Sequence, residues 1–265
     1  MGEPAAEPIK VDENTRLEFL DMLRGICVVL MVVYHALYLL AQYFTLGKAF
    51  AANLFDSLQP MQVTVASMFI MISGFSAQLS AKPKLRAGLL VCMAAIISGV
   101  TILVLPRVGI PNTAIWFGIL HLLACGKLAY AYGKKLFDKL PGILGLPVCL
   151  FLFFYTAPVG QRFFGILGML RVNLPAAWYN QKWLFFLGIK SPSFVSWDFF
   201  PLLPWVFLFF FGVFVGKMIK RDQLPMFCYK KRPILGFVGR SSLVIYLAHV
   251  PLLYGLFTLI ALFAK

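Results

Sequence analysis

Residues 16–44 read RLEFLDMLRGICVVLMVVYHALYLLAQYF, and this stretch decides the fold. It is apolar and long enough for a membrane-spanning helix, which needs about 20 residues. Three ionisable residues interrupt it, namely Asp21, Arg24 and His35. An ionisable side chain inside a bilayer is energetically costly, so these three residues are candidates for a functional site.

The spacing of these residues predicts that they share one face of the helix. Arg24 and His35 are eleven positions apart, which at 3.6 residues per turn leaves them within about 20° of each other and roughly 16 Å apart along the axis. Asp21 lies one turn before Arg24, where the two can pair. One face therefore carries a carboxylate and a guanidinium near one end and an imidazole towards the other.

The composition excludes a soluble globular protein. Of the 265 residues 61% are hydrophobic, whereas soluble domains contain about half. The net charge of +14 does not indicate nucleic-acid binding, because the basic residues concentrate in short loops between apolar runs, as membrane topology requires. The five cysteines lack CxxC spacing and are expected to be free thiols, so no metal site is predicted.

We predict an all-α integral membrane protein, a single bundle of about seven transmembrane helices. Residues 1–15 form a polar cytoplasmic tail, and residues 16–265 form one transmembrane domain without an internal repeat. Close helix approach is expected at Ser73, Gly74 and Ser76. The predicted spans are Leu17–Tyr43, Pro60–Leu79, Leu85–Leu105, Thr113–Tyr132, Ile143–Thr156, Phe199–Met218 and Leu235–Phe263.

The distribution of lysine and arginine predicts the orientation. The loops around Lys84, Lys135 and Lys231 are short and basic, whereas the opposite loops are longer and carry fewer basic residues. The positive-inside rule therefore places the N-terminus in the cytoplasm. The long outer loop, residues 158–198, is rich in aromatic residues and glycine. It is expected to lie at the membrane surface, where it could cap an outward-facing site.

Ionisable residues separate into two levels of the predicted bundle. His35, His121, His249 and Asp198 lie between the middle and the outer edge. Basic candidates for binding phosphate groups lie at the inner level. This arrangement favours a ligand with an anionic head in the cytoplasm and a reactive tail that reaches outward. The inner basic residues are Arg24, Lys84, Arg86, Lys134, Lys135, Lys230, Lys231, Arg232 and Arg240. Of these, Arg24, Lys84, Arg86, Lys231 and Arg240 are the candidates for binding the ligand.

Each candidate residue has a chemical and a structural interpretation. His35 could act as a general base or a nucleophile, or it could only hydrogen-bond between helices. Arg24 could bind a phosphate or be an anchor held by Asp21. His121 could be a second acid or base, or form an interhelical hydrogen bond. Asp198 could orient a histidine or cap the sixth helix.

His249 lies two residues before Pro251 in the last predicted span. A proline within a helix leaves a main-chain carbonyl that the bundle must satisfy in another way. We therefore expect a structural role for His249.

Five blocks resemble, in order, those of the heparan-α-glucosaminide N-acetyltransferase catalytic-domain family, and the resemblance is closest to its small bacterial members. The Arg24-x10-His35 spacing is also similar to the first-helix signature of bacterial membrane acyltransferases that O-acetylate polysaccharides. The blocks are RLEFLDMLRGICVVLMVVYH, MFIMISGFSAQLS, IWFGILHLLACG, DFFPLLPWVFLFFFGVFVGK and GFVGRSSLVIYLAHVPLL.

The resemblance implies an enzyme that moves an acyl group from cytoplasmic acyl-CoA to an extracytoplasmic sugar or glycoconjugate. It implies acetyl-CoA as donor, no metal, a lipid environment in a bacterial plasma membrane, and no nucleic-acid partner; a homodimer is one alternative. The lysosomal enzyme has an asparagine at the position that resembles His35 and takes its histidine from a luminal loop. This chain has no histidine between Ala36 and Ile119, so His35 would take that role, and the acceptor could be a hydroxyl or an amine.

Two other functions remain open from the residues alone. The aligned Asp21, Arg24 and His35 could form the path of a small transporter or channel, although the repeated halves typical of transporters are missing. A membrane subunit without catalytic activity could also keep the same fold.

Overall fold

The computed structural model describes residues 16–45, 47–108, 113–166, 169–219 and 224–263. The predicted tail, residues 1–15, lies outside the described residues. Most of the described chain is helical. The elements are α1 (Glu18–Tyr43), α2 (Lys48–Gln78), α3 (Pro83–Gly99), α4 (Ile119–Lys139), α5 (Gly142–Thr156), β1 (Phe163–Ile166), β2 (Met169–Asn173), α6 (Leu202–Met218), α7 (Pro233–Arg240) and α8 (Ser242–Phe263).

Five helical stretches of the described residues have the length and composition of membrane spans. They are α1, α2, Pro83–Arg107 (α3 with its π and 3-10 turns), Gly142–Gln161 (α5 with a 3-10 turn) and α8. Helix α6 is apolar but has 17 residues. The predicted all-α membrane architecture is therefore confirmed at this coarser level, with two short strands as the sheet.

Three predicted spans have other bounds in the structure. The fourth helix is Ile119–Lys139, not Thr113–Tyr132. The second helix begins at Lys48, not at Pro60, which lies inside it. The additional turns are stabilised because Ala51 packs against Leu37 and Ala41 of α1, a tertiary contact that local sequence does not reveal. The predicted seventh helix is two helices, α7 and α8, which are separated at Ser241 (φ −88°, ψ 8°).

The described chain divides into two compact units. The first comprises residues 1–69 and 219–265, in which α1 packs on α7 and α8. Glycines bring the backbones of α1 and α7 together. A Cβ on Gly239 would lie 1.8 Å from the carbonyl oxygen of Asp21, and one on Gly25 would lie 2.2 Å from that of Leu235. Only glycine permits this approach.

The second unit comprises residues 70–218, in which α3 packs on α4 and α5 packs on α6. The part of α2 that belongs to this unit packs on α6 through contacts between glycines and main-chain carbonyls. A Cβ on Gly74 would lie 1.9 Å from the carbonyl oxygen of Phe209, and one on Gly212 would lie 2.0 Å from that of Met71. The close helix approach predicted at Gly74 is thus confirmed.

A lysine of α6 caps the end of α4 within the second unit. Nζ of Lys217 donates hydrogen bonds to the main-chain carbonyls of Phe137, Asp138 and Leu140 at 2.9, 2.7 and 2.6 Å. These carbonyls lie at the helix C-terminus, where the macrodipole is negative and the carbonyls lack partners within the helix. This basic side chain therefore has a structural role.

The segment between α5 and α6 contains no α-helix among its described residues, as predicted, but it is ordered by its own core. Val159, Tyr179, Leu184 and Ile189 are buried together, and strands β1 and β2 form an antiparallel hairpin. The hairpin was not predicted because its strands have only four and five residues and lack a continuous alternating pattern. Its placement at a membrane surface stays a prediction.

The glycine contact between α1 and α7 is open to a direct test. We expect Gly239→Ala to destabilise the protein by about 1–3 kcal/mol or more, because an added methyl group must displace backbone atoms. Thermal unfolding in detergent measures the effect. Gly255→Ala is the control, because a Cβ on Gly255 would meet no atom of the described residues within 4 Å outside its own turn of helix. Equal stability of the two variants would contradict the proposed steric constraint.

Candidate functional site

A buried charge cluster lies at the start of α1. Asp21 is 4% exposed, and its carboxylate accepts hydrogen bonds from Nε of Arg16 at 2.5 Å and from Nη1 of Arg24 at 3.1 Å. Burying a carboxylate is costly unless it is paired. The predicted pair of Asp21 and Arg24 is confirmed, and Arg16 is a further partner. Its hydrogen bond to Asp21 raises the pKa of the Arg16 guanidinium.

Helix α7 adds two more guanidinium groups to the same unit. Nη1 of Arg240 donates to Oε2 of Glu18 at 3.2 Å, which links α7 to α1. Arg232 precedes the first residue of α7. Its Nε is buried, and no residue in the described part of the chain accepts a hydrogen bond from it. Among the described residues of this cluster, four arginines outnumber the two carboxylates of Asp21 and Glu18, so the described part of the cluster has a net positive charge.

The other predicted phosphate-binding residues are distributed over both units. Lys231 is exposed in the loop before α7, in the first unit. Lys84 and Arg86 lie in the first turn of α3, in the second unit. Nζ of Lys84 lies 5.1 Å from the ring centroid of Tyr132, and Arg86 is exposed. The structure thus places Arg24, Arg232 and Arg240 in the first unit. A Cβ on Gly236 would lie 3.2 Å from Nη1 of Arg240 and 3.9 Å from Cβ of Arg232.

The tautomer of His35 follows from its hydrogen bond. Nδ1 of His35 lies 2.9 Å from the main-chain carbonyl oxygen of Met31, one turn earlier in α1. A carbonyl oxygen only accepts, so Nδ1 carries the proton and Nε2 carries the lone pair. An imidazole held in this way can take a proton at Nε2 or attack with it. His35 is therefore competent for either of its predicted chemical roles.

The ring of His35 packs against that of His249. The two ring centroids are 4.9 Å apart, and the ring planes are inclined at 71°. His249 is 7% exposed. Its Nδ1 lies 3.1 Å from the carbonyl oxygen of Ile245 and 2.8 Å from that of Tyr246. His249 thus has the same tautomer as His35, with the lone pair at Nε2.

In the second unit, His121 uses both ring nitrogens in hydrogen bonds near the start of α4. Nδ1 accepts from the main-chain N–H of Gly118 at 3.2 Å. Ser98 donates its hydroxyl proton to the carbonyl of Ile115 at 2.7 Å, so it accepts from Nε2–H of His121 at 3.0 Å. The interhelical hydrogen bond considered for His121 is present, between α3 and α4. Its catalytic role stays a prediction.

Asp198 caps a different helix from the one expected. Its Oδ2 accepts from the main-chain N–H of Ile119, the first residue of α4, at 3.0 Å. Helix α6 begins only at Leu202, so the expectation that Asp198 caps the sixth helix was wrong. The position is fixed because residues on either side of Asp198 hydrogen-bond to the segment before α4: Trp197 N–H donates to Ala114 and Phe200 N–H to Phe117.

Ser98, His121 and Asp198 have the residue types of a catalytic triad, but their hydrogen bonds run differently. In a triad the histidine accepts the serine proton, and the carboxylate holds the other ring nitrogen. Here Ser98 donates its hydroxyl proton to the carbonyl of Ile115, and the carboxylate of Asp198 accepts a hydrogen bond from the main chain of Ile119. This geometry supports the start of α4 and does not activate the serine.

Three features of the first unit follow only from the structure. Arg16 stands at the edge of the apolar stretch, and Arg232 is one of several basic residues at the inner level, so neither the pairing of Arg16 with Asp21 nor the buried Nε of Arg232 is visible in the sequence. The contact of His249 with His35 joins helices more than 200 residues apart in sequence. Ionisable residues are rare in apolar helices. This rule identifies His249 as a candidate from the sequence but does not reveal that its ring contacts that of His35.

The capping role of His121 leads to a prediction. Glutamine at the third position of a helix can accept the N-cap N–H as His121 does, so we expect His121→Gln to be nearly as stable as the wild type. We expect His121→Ala to lose about 0.5–2 kcal/mol, the usual contribution of a cap. Denaturant titration of the purified protein distinguishes the two variants. Equal destabilisation by both substitutions would contradict the capping role.

Comparison with known proteins identifies the family. The family described as "Heparan-alpha-glucosaminide N-acetyltransferase, catalytic" matches residues 16–251, which is most of the chain. Comparisons with curated proteins and with solved structures gave no match. The family match begins at Arg16, includes every candidate residue above, and ends two residues after His249. The chain therefore belongs to the heparan-α-glucosaminide N-acetyltransferase catalytic-domain family.

Proposed function

We propose that this protein is a membrane acyltransferase that moves an acetyl group from cytoplasmic acetyl-CoA to a hydroxyl or amine of an extracytoplasmic carbohydrate. The observation that carries the proposal is His35, an imidazole with its lone pair at Nε2, within an apolar helix that begins in an arginine cluster. The family is that of an acetyltransferase catalytic domain, and the membrane-spanning character of the helices supports transfer across a bilayer.

The arginine cluster is suited to the anionic end of the donor. Coenzyme A carries phosphate groups, and guanidinium groups bind phosphate with charge-assisted hydrogen bonds. Arg24 and Arg240 are each paired with one carboxylate, whereas the buried Nε of Arg232 has no acceptor among the described residues. An anion at this end would supply one. We infer that Arg24, Arg232 and Arg240 form the donor-binding end, with Lys231 at its edge.

The orientation of the protein follows from the same charges. The positive-inside rule places the basic loops and the N-terminus in the cytoplasm, where acyl-CoA is available. We infer about seven spans, with α4 and α6 crossing the membrane beside the five longer helices. His35 then lies roughly 16 Å outward of Arg24 along α1, a separation that an extended pantetheine arm can bridge. A bacterial plasma membrane fits this arrangement.

The chemistry requires one base. As the oxygen or nitrogen of the acceptor bonds to the acyl carbon, its proton passes to Nε2 of His35. The carbon–sulfur bond of the thioester breaks, and the leaving sulfur takes the proton from His35, which yields acetylated acceptor and free coenzyme A. Nδ1–H of His35 keeps its hydrogen bond to Met31 throughout and holds the ring in position. In this scheme His121 and Asp198 support α4 and do not contact the reacting atoms.

The base role of His35 predicts a loss of turnover without a loss of donor binding. His35→Asn retains an N–H that can donate to the carbonyl of Met31 but lacks the lone pair at Nε2. We expect kcat to fall by about 10²–10⁴, with the Kd for acetyl-CoA unchanged. Transfer of radiolabelled acetyl groups to a soluble glucosaminide, and calorimetric binding of acetyl-CoA, measure these quantities. Near-normal turnover in His35→Asn would exclude the base role.

The donor role of Arg24 predicts weaker binding of acetyl-CoA. Removing a charge-assisted hydrogen bond costs about 1.5–3 kcal/mol, so we expect Arg24→Gln to raise the Kd by about 10- to 150-fold. Arg16→Gln is the matched control, because it also removes a partner of Asp21 but is not assigned to the donor. If both variants weaken binding equally, the effect comes from unpairing Asp21 and the assignment of Arg24 fails.

A further inference from the structure

Among the described residues, no carboxylate accepts a hydrogen bond from Nδ1–H of His35. In serine hydrolases a carboxylate holds Nδ1–H and stabilises the imidazolium that forms during reaction. In this protein Nδ1–H of His35 donates to a main-chain carbonyl, that of Met31. A carbonyl dipole orients the ring but carries no negative charge. Proton uptake at Nε2 in an apolar helix therefore needs another group that accepts part of the positive charge.

His249 is placed to be that group. Its ring centroid is 4.9 Å from that of His35, in an edge-to-face arrangement. Its Nδ1–H is directed at the carbonyls of Ile245 and Tyr246, so its Nε2 lone pair is fixed by the same device. Both rings therefore offer a basic nitrogen. A neutral aromatic ring within about 6 Å of a cation attracts it through its π system, and this attraction is larger in a medium of low dielectric constant. The ring of His249 can therefore stabilise a positive charge on His35.

We propose that His249 is a positioning residue for the acyl transfer, which acts through His35 by stabilising the imidazolium formed when His35 takes the acceptor proton. This inference rests on the proposed function. The proton balance is unchanged: the proton leaves the acceptor, is held at Nε2 of His35, and departs on the sulfur of coenzyme A. His249 contacts neither substrate, and its contribution is to the rate of transfer rather than to binding.

The substitution His249→Asn separates this role from a purely structural one. The asparagine amide can donate to the main-chain carbonyls as Nδ1–H does, but it has no aromatic ring to lie against His35. In the full-length protein in lipid nanodiscs, with acetyl-CoA and a soluble glucosaminide, we expect kcat to fall by roughly 10- to 100-fold, as for other partners of a functional imidazole. We expect the KM for acetyl-CoA and the unfolding temperature to remain at their wild-type values.

A double-mutant comparison tests whether His249 acts through His35. If it does, adding His249→Asn to His35→Asn should cause no further loss, because coupled residues are non-additive. Independent, multiplied losses would overturn the proposal, as would wild-type turnover in His249→Asn. A fall in unfolding temperature that accounts for the lost activity would assign His249 to folding instead.

The same experiment distinguishes this inference from the proposed function. If the wild-type protein transfers no acetyl group from acetyl-CoA to amine or hydroxyl sugars, the proposed function fails and the inference fails with it. If the wild type transfers and His249→Asn is unimpaired, only the inference is overturned.

Discussion

The contact of glycine with a main-chain carbonyl is the constraint on which both units depend. In the first unit Gly25 and Gly239 bring α1 and α7 together, and in the second Gly74 and Gly212 do the same for α2 and α6. Helices in a membrane gain little from apolar burial against one another, so close backbone packing must supply much of the association. In the first unit the same contact places Arg240 beside Glu18, and thereby assembles the arginine cluster.

The second physical requirement is that a charged group in an apolar setting is costly unless it is paired, and three charged side chains of the described residues meet it. Asp21 is paired with two arginines, Lys217 with three carbonyls at the end of α4, and Asp198 with the first N–H of α4. These partners also decide which residues can react. A base must keep a lone pair, and His35 retains one at Nε2, whereas His121 uses both nitrogens to hold α3 and α4.

The proposed mechanism uses the two ends of α1 for different purposes. Guanidinium groups at its beginning can neutralise the phosphates of a donor, and the histidine further along can handle a proton away from those charges. The separation is useful chemically, because a strongly positive neighbour would disfavour protonation of the base. The ring of His35 lies against that of His249. The group next to the proposed base is therefore a polarisable neutral ring and not a fixed charge.

The sequence by itself determined the membrane architecture, the shared face of Asp21, Arg24 and His35, and the family, because apolar length, helical periodicity and motif order are local properties of the chain. It also indicated close packing at Gly74. Tertiary structure alone decided that Ala51 extends α2, that the last predicted helix divides at Ser241, and that Asp198 caps α4. Only the tertiary structure shows that the ring of His249 contacts that of His35. Each of these depends on contacts between distant segments, and the direction of a hydrogen bond follows only once both partners are in place.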